Sequence, residues 1–290
     1  MKLLSFGEII WDVFPDAAHI GGAPLNFAAH TVLQGGEASI LSSVGDDSLG
    51  RDAKERISTL GVGTECISVS PDKPTGQCIV TLNEKGIPSY DLRDDTAYDF
   101  ISETDKACGF DVLAFGTLAL RHAHNRATVA RLLQKHTYSE VFSDLNIRAP
   151  FYSKESICFC LESATIVKIS DEELGTVTGA ALGEVLSVES SAKALAQKYP
   201  QIKLILITLG AKGAYAYDTR TGKEYSCGIA DYPVVSTVGA GDSFGAAFLY
   251  WYLSGKDIPF CLRLASKVSG FVFSQTGAVP QYDVKKFLSL

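Results

Sequence analysis

Short, mostly apolar runs punctuate the chain at 3–6, 38–44, 112–115, 140–143, 166–169 and 204–208, and several are followed at once by Gly, Asp or Ser. A run of that length without polar alternation predicts a strand covered on both faces. Between the runs, apolar positions recur at helical spacing over 24–34, 125–135, 190–198 and 242–254. Strand then helix, repeated, predicts an α/β architecture of three layers, a mostly parallel central sheet with helices on both sides. Two segments break the rhythm. Residues 8–20 and 76–92 are rich in β-type residues, the second with a turn signal at Asn83-Glu84-Lys85-Gly86, and both read as hairpins. They predict a small projecting β-sheet, a lid built from about 8–20 and 76–98, and a lid suits chemistry from which water must be kept.

The 290 residues are 46% apolar and 20% charged, enough for a large packed core. No linker, charge run or repeat offers a place to divide them, so 1–290 reads as a single domain. A net charge of −7 argues against a nucleic-acid partner, since phosphate backbones are bound by clustered Lys and Arg. The N-terminus meets Lys2 and Glu8 too early for a signal-peptide core, and no later apolar run is long enough to cross a bilayer. The expectation is a cytoplasmic protein with no membrane partner. Seven cysteines without a Cys-x-x-Cys pair fit reduced thiols, and Cys158-Phe-Cys160 lacks the second ligand cluster that a zinc site needs.

The most informative stretch is Gly239-Ala240-Gly241-Asp242, a small-residue turn that runs into the last of the helical patterns. Such a turn leaves backbone amides uncovered at a helix start, where the unpaired donors and the helix dipole favour an anion such as phosphate. Asp242 beside that pocket repels an anion but suits a base that takes a proton from an acceptor hydroxyl. Two other readings stay open on the residues alone. Asp242 can be a first-turn residue serving the helix dipole, with glycines for tight packing, and Gly239-x-Gly241-x-x-x-Gly245 approximates a dinucleotide fingerprint. The Gly-x-x-x-x-Gly-Lys-Ser/Thr P-loop is absent.

The turn resembles the C-terminal signature of the ribokinase-like (phosphofructokinase-B type) carbohydrate kinases, and Gly21-Gly22-Ala23-Pro24-Leu25-Asn26-Phe27-Ala28 resembles their N-terminal, sugar-binding signature. The resemblance runs along essentially the whole chain and implies the ribokinase-like fold, ATP and Mg2+ as cofactors, and a free sugar as partner. It implies Asp242 as catalytic base with Gly239, Ala240 and Gly241 as the anion hole, and Asp12, Gly22 and Asn26 as the grip on the sugar. Lys168-Ile169-Ser170-Asp171-Glu172-Glu173 is similar to the family's Asn-x-x-Glu motif with Ser170 in place of Asn, which implies that Glu173 acts on the metal through water. Ile207-Thr208-Leu209-Gly210-Ala211-Lys212-Gly213 resembles the strand and turn that meet the nucleotide, implying contacts from Ser170, Thr208, Gly210 and Gly213. As bare residues these stretches equally suit a solvated turn, an acidic helix start and a plain β-turn. The family pattern carries an Asp that helps to hold a monovalent cation where this chain has Ser236, which leaves potassium activation open.

Within the family, Ala23-Pro24, the run from Phe115 to Arg121, and Asp144-Leu145-Asn146-Ile147-Arg148 are similar to fructokinases, which implies transfer of a γ-phosphate to the 6-hydroxyl of fructose. Asp144, Asn146 and Arg148 suit either nucleotide orientation or a polar network at a strand end. Another sugar or sugar acid (ribose, tagatose, 2-keto-3-deoxygluconate) and a non-catalytic sugar sensor on the same scaffold are the alternatives. The resemblance also implies a homodimer through the lid.

Overall fold

The computed structural model describes residues 1–14, 17–82 and 88–288, and the expected turn at 83–86 lies outside them. The strands in chain order are β1 (Lys2–Phe6), β2 (Ile10–Val13), β3 (Ala18–Gly21), β4 (Glu37–Gly45), β5 (Ile67–Ser70), β6 (Gly76–Leu82), β7 (Pro88–Leu92), β8 (Val112–Phe115), β9 (Glu140–Asp144), β10 (Ile166–Ser170), β11 (Leu204–Thr208), β12 (Ala214–Asp218) and β13 (Lys223–Cys227). The helices are α1 (Ala23–Leu33), α2 (Ser48–Thr59), α3 (Ala123–Lys135), α4 (Lys154–Ser163), α5 (Asp171–Leu182), α6 (Val188–Lys198), α7 (Ala240–Leu253), α8 (Ile258–Phe273) and a short α9 (Lys285–Leu288).

The large sheet has the order β13-β12-β11-β10-β9-β8-β1-β4-β5. It is parallel from β5 to β11, and β12 and β13 extend it antiparallel at one end. Alternate residues of each buried strand serve opposite faces, as the two-residue period of a strand requires. Leu3, Ile40, Val112, Ala114 and Phe142 join a core with α1, α2, α7 and α8, whereas Leu4, Phe6, Leu41, Leu113 and Phe115 join a second core with α3, α4, α5 and α6. From β1 the chain winds first outward to β4 and β5, then crosses to β8 and on in the other direction. The order therefore reverses between β1 and β8, and in open α/β sheets ligands bind in the crevice beyond the carboxyl ends of the strands at such a reversal.

A second sheet, β3-β2-β6-β7, stands apart from the first. The β2/β3 and β6/β7 pairs are antiparallel, and β2 pairs with β6 in parallel. It occupies the two segments expected to form the lid, but the stretch to residue 98 extends past it. After β7 the chain returns to the body, where a 3-10 turn, Ala97–Phe100, buries Tyr98 in the second core. Trp11 ties the small sheet back to the body, its indole N–H donating to the Leu49 carbonyl at 3.0 Å.

Candidate active site

Most of the longer helices begin under a side-chain cap. Asp47, Ser153, Ser187 and Asp257 accept amides at the starts of α2, α4, α6 and α8, and Glu173 accepts the Ser170 amide at the start of α5. Helices α1 and α7 differ. They start on Gly22 and Gly239 with no side-chain cap, and both starts lie at the carboxyl ends of the strands near the reversal. Gly22 has φ 113°, and a methyl there would stand 2.4 Å from the Glu8 carbonyl. Gly239 has φ 79°, and a methyl there would stand 2.2 Å from the Ala278 carbonyl. Only glycine meets both the backbone and the space requirement.

Asp242 sits in the first turn of α7, half-buried, and the Asn26 side-chain amide donates to its Oδ2 at 2.8 Å. The two signatures, separated by most of the chain, thus meet in one hydrogen bond. Ala240 makes only a long amide contact with Thr237, and no acceptor among the described residues bonds the amides of Gly239, Gly241 or Asp242. These are the free donors that an anion takes at a helix start. Burial pushes the Asp242 carboxyl above its ordinary value, opposed by the Asn26 hydrogen bond and by the charges of Lys168 and Arg148.

A cavity opens beside this turn, lined by residues of β1, α1, β8, β9 and α7. Phe27 and Phe142, ring centroids 4.9 Å apart, supply an apolar wall, and Glu8, Asp144, Asn146 and Asp242 supply polar groups. Asn146 adopts φ 38°, a left-handed conformation that Asn tolerates better than most residues. The Ser5 hydroxyl donates to the Pro24 carbonyl at 2.8 Å and pins the start of α1 to β1.

Two groups that the motifs did not single out stand in this site. Lys168, in the middle of β10, is buried, and its ammonium donates to Asp144 Oδ2 at 2.7 Å. A methyl on Gly241 would come within 3.3 Å of that ammonium, so Lys168 stands at the free helix start. Burial opposes its charge, and the Asp144 charge and hydrogen bond together with Glu173 and Asp242 more than compensate, so its pKa is raised. Burial pushes Asp144 up to about 6 although Lys168 pulls it down, and its Oδ1 is buried without a partner. Glu8 is 3% exposed, and burial with the nearby Asp242 charge pushes its pKa up to about 7, while amide hydrogen bonds, including one from Ala23, and Arg148 pull it down.

The other expected residues take separate stations. Asp12 lies in β2 of the small sheet, its carboxyl raised by burial and lowered by His19 and Arg148. Arg148, exposed, acts on the carboxyls of Glu8, Asp12 and Asp242 together and so couples the small sheet to the body electrostatically. Glu173 accepts the Ser170 amide at 2.9 Å and the Ile147 amide at 2.7 Å, so it braces α5 against the loop after β9. Thr208 ends β11 in register with Ser170, and Gly210 and Gly213 form the turn beyond it. At Gly213, φ 99°, a methyl would overlap the Cys227 carbonyl, which dictates glycine there. None of these last residues touches Asp242; they share its edge of the sheet.

The model of the pfkB family carbohydrate kinases matches residues 6–284. A fructokinase of Solanum tuberosum is 28% identical over 309 aligned positions, covering 96% of this chain and 91% of that protein. The 5-dehydro-2-deoxygluconokinase of Shouchella clausii is 29% identical over 272 positions, covering 89% and 81%. A fructokinase from Xylella fastidiosa, solved with bound ATP, superposes with a TM-score of 0.86 over 99% of this chain and 97% of that one at 22% identity, which speaks to the fold.

Proposed function

The chain belongs to the pfkB family of carbohydrate kinases, and from that premise we propose that it transfers the γ-phosphoryl group of ATP to the 6-hydroxyl of fructose. The observation that carries the reading is the meeting of Asp242, oriented by Asn26, with the unpaired amides of Gly239, Gly241 and Asp242 at the rim of the cavity. A hydroxyl seated in the cavity loses its proton to Asp242 as its oxygen attacks the phosphorus in line. The amides and the Lys168 ammonium receive the negative charge that builds on the transferring group, in a site where water screens little. Lys168 is held for this by Asp144, which fixes its position and balances its charge.

A divalent cation fits the donors beside Lys168, since the buried Asp144 Oδ1 lacks a partner and carboxylate oxygens suit a hard ion. Asp144 would hold it, with Glu173 lending the lone pairs its amide bonds leave free. When bound, such an ion neutralises charge on the nucleotide phosphates. Asp12 and Asn26 are assigned to the sugar, with Gly22 giving the backbone room to approach it. Ser170, Thr208, Gly210 and Gly213 are assigned to the nucleotide along the sheet edge. The reading includes a homodimer formed through the small sheet, and sedimentation showing monomer alone removes that part of it.

The acceptor is read from the fructokinase relatives. A sugar acid is the second reading, favoured by the exposed Arg148 at the site, whose planar guanidinium matches a carboxylate. A coupled ADP-release assay across fructose, ribose, tagatose, 2-keto-3-deoxygluconate and 5-dehydro-2-deoxygluconate decides between them by kcat/KM. Fructose is expected to rank first, and Asp242→Asn to lower kcat by about 10²- to 10⁴-fold while ATP still binds. A variant turning over at the original rate would refute the assignment of the base.

A further inference from the structure

Three polar side chains recur four residues apart, Asn26 and His30 on α1 and Gln34 at its C-cap, and all three are buried, at 6%, 0% and 2% exposure. That spacing places them in one line along a helix face. Burying three polar groups among Leu25, Phe27, Ala28 and Ala29 costs free energy unless each finds partners, and each does, on the C-terminal third of the chain. Asn26 grips Asp242. The other two build a chain of hydrogen bonds whose direction is fixed by its first member.

The Trp251 indole, which can only donate, lies 3.0 Å from Gln34 Oε1. Gln34 then presents its Nε2 to the Tyr282 hydroxyl oxygen at 2.9 Å. With its oxygen occupied as acceptor, Tyr282 turns its proton to His30 Nδ1, 3.0 Å away. The remaining hydrogen of a neutral imidazole is therefore on Nε2, which donates to the Ala278 carbonyl at 2.9 Å. Burial keeps the ring neutral by holding its pKa down at about 4. Ala278 is the residue whose carbonyl lies against Gly239, so close that no methyl fits between them. It sits in the segment between α8 and α9, which has no strand or helix hydrogen bonds to hold it in place.

We propose that His30 is a positioning residue for phosphoryl transfer: by fixing the Ala278 carbonyl it holds the left-handed Gly239 turn, and with it the free amides and Asp242. The stripe thus orders the reactive turn twice, through Asn26 on the base and through His30 on the backbone that carries the anion donors. Gln34 and Trp251 extend the grip to the far end of α7, so the helix is clamped along its length. The inference rests on the kinase reading above and names a residue for that same site.

Steady-state kinetics on His30→Leu and His30→Gln, with the best sugar of the panel, test it. Leucine fills the space without a donor, whereas the glutamine amide reaches the position of Nε2. His30→Leu is expected to lower kcat by about ten- to a hundredfold, the scale of a small misplacement at the reacting centre. KM for sugar and for ATP should stay within about threefold, and His30→Gln should recover most of kcat, because the loss lies in the transition state and follows the donor. A His30→Leu protein with unchanged kcat, or a His30→Gln protein as impaired as the leucine variant, overturns the proposal. Should His30→Leu fail to fold, Tyr282→Phe keeps the ring stacked on His30 and removes only the hydroxyl that fixes the tautomer. A severalfold drop in kcat at constant KM supports the proposal there, and unchanged kcat overturns it. If the unsubstituted protein turns over no sugar of the panel, the kinase reading itself fails and this proposal with it; an active unsubstituted protein whose His30→Leu variant keeps its kcat, or whose His30→Gln variant is as impaired as the leucine one, sinks the proposal alone.

Discussion

Glu8 must ionise almost out of reach of water, and its pH behaviour follows from that. Its pKa in the folded protein, about 7, lies above the ordinary 4.5, so the folded state holds the proton more tightly than the unfolded chain does. The stability this contributes is complete below about pH 4.5 and is lost as pH rises through about 7, a change on the order of 3 kcal/mol. His30 acts with the opposite sign. Its value is lowered from 6.5 to about 4, so its contribution is complete above the first and lost as pH falls through the second. Glu8→Gln is therefore expected to flatten the decline of denaturation midpoint from about pH 5 to pH 8 and to leave the acid side intact. Parallel profiles for the two proteins would remove Glu8 as the cause. Lys168 makes a second case. Lys168→Met strands the buried Asp144 without its cation, and kcat should fall by about 10²- to 10³-fold with a loss of thermal stability. Adding Asp144→Asn is expected to restore the melting temperature but not the turnover. Recovery of both would mean that Lys168 serves the fold alone. Neither Glu8 nor Lys168 was legible as a site residue in the sequence. A lone lysine inside Ile166-Val167-Lys168-Ile169 reads as one strand position among others, and its partner Asp144 comes from a different strand. Their meeting depends on the sheet order, which residue spacing does not report. His30 was recoverable in part, since the i, i+4, i+8 recurrence of Asn26, His30 and Gln34 breaks an otherwise apolar helix.

At the scale of elements, the site is two helix starts brought together. Helices α1 and α7 lie in the same layer over the sheet, each opened by a glycine where the longer helices flanking the other strands mostly have a capping side chain. Gly239→Ala forces a side chain into the left-handed region and into the Ala278 carbonyl. It is expected to cost about 1–3 kcal/mol of stability, the range for local backbone strain, and to displace the free amides so that kcat falls too. The Asn26 amide lowers the pKa of Asp242 by donating to its charged form. Asn26→Ala removes that donor, so the base ionises at higher pH and the acid limb of the kcat/KM profile should move upward. An unmoved limb would separate Asn26 from the titrating group or Asp242 from the base. The strands and helices that build this layer were legible because buried parallel strands read as short, mostly apolar runs, broken here only by a few small or paired polar residues such as Ser5, Ser42 and Lys168. The hairpin of β12 and β13 was not, for Lys223-Glu224-Tyr225-Ser226-Cys227 is an edge strand with exposed polar positions and lacks that signal. The glycine-rich starts of α1 and α7 were legible because an uncapped helix has a composition of its own.

The whole molecule joins a nine-stranded sheet to a separate four-stranded one. Strands β2 and β3 of the small sheet are inserted inside the first β-α unit, between the end of β1 and the start of α1. Cavity residues therefore flank the insertion directly, Ser5 and Glu8 before it and Ala23 and Pro24 after it. A displacement of the small sheet would therefore act on both sides of the cavity. Asp12 on β2 and Arg148 on the body are coupled by charge, and that coupling strengthens as water leaves the space between them. On the proposed assignments a sugar bonds Asp12 on one sheet and lies against Asp242 on the other, whereas the nucleotide is assigned to the edge of β10 and β11, away from the small sheet. Hydrogen exchange read by mass spectrometry should then show slower exchange in β2, β3 and β6 with sugar and little change there with ATP alone. Asp12→Ala should abolish the sugar-induced protection and raise KM for the sugar well above any change in KM for ATP. Equal protection of the lid by ATP alone would place the nucleotide, and not the acceptor, beneath the small sheet, and Asp12 would lose its assignment to the sugar.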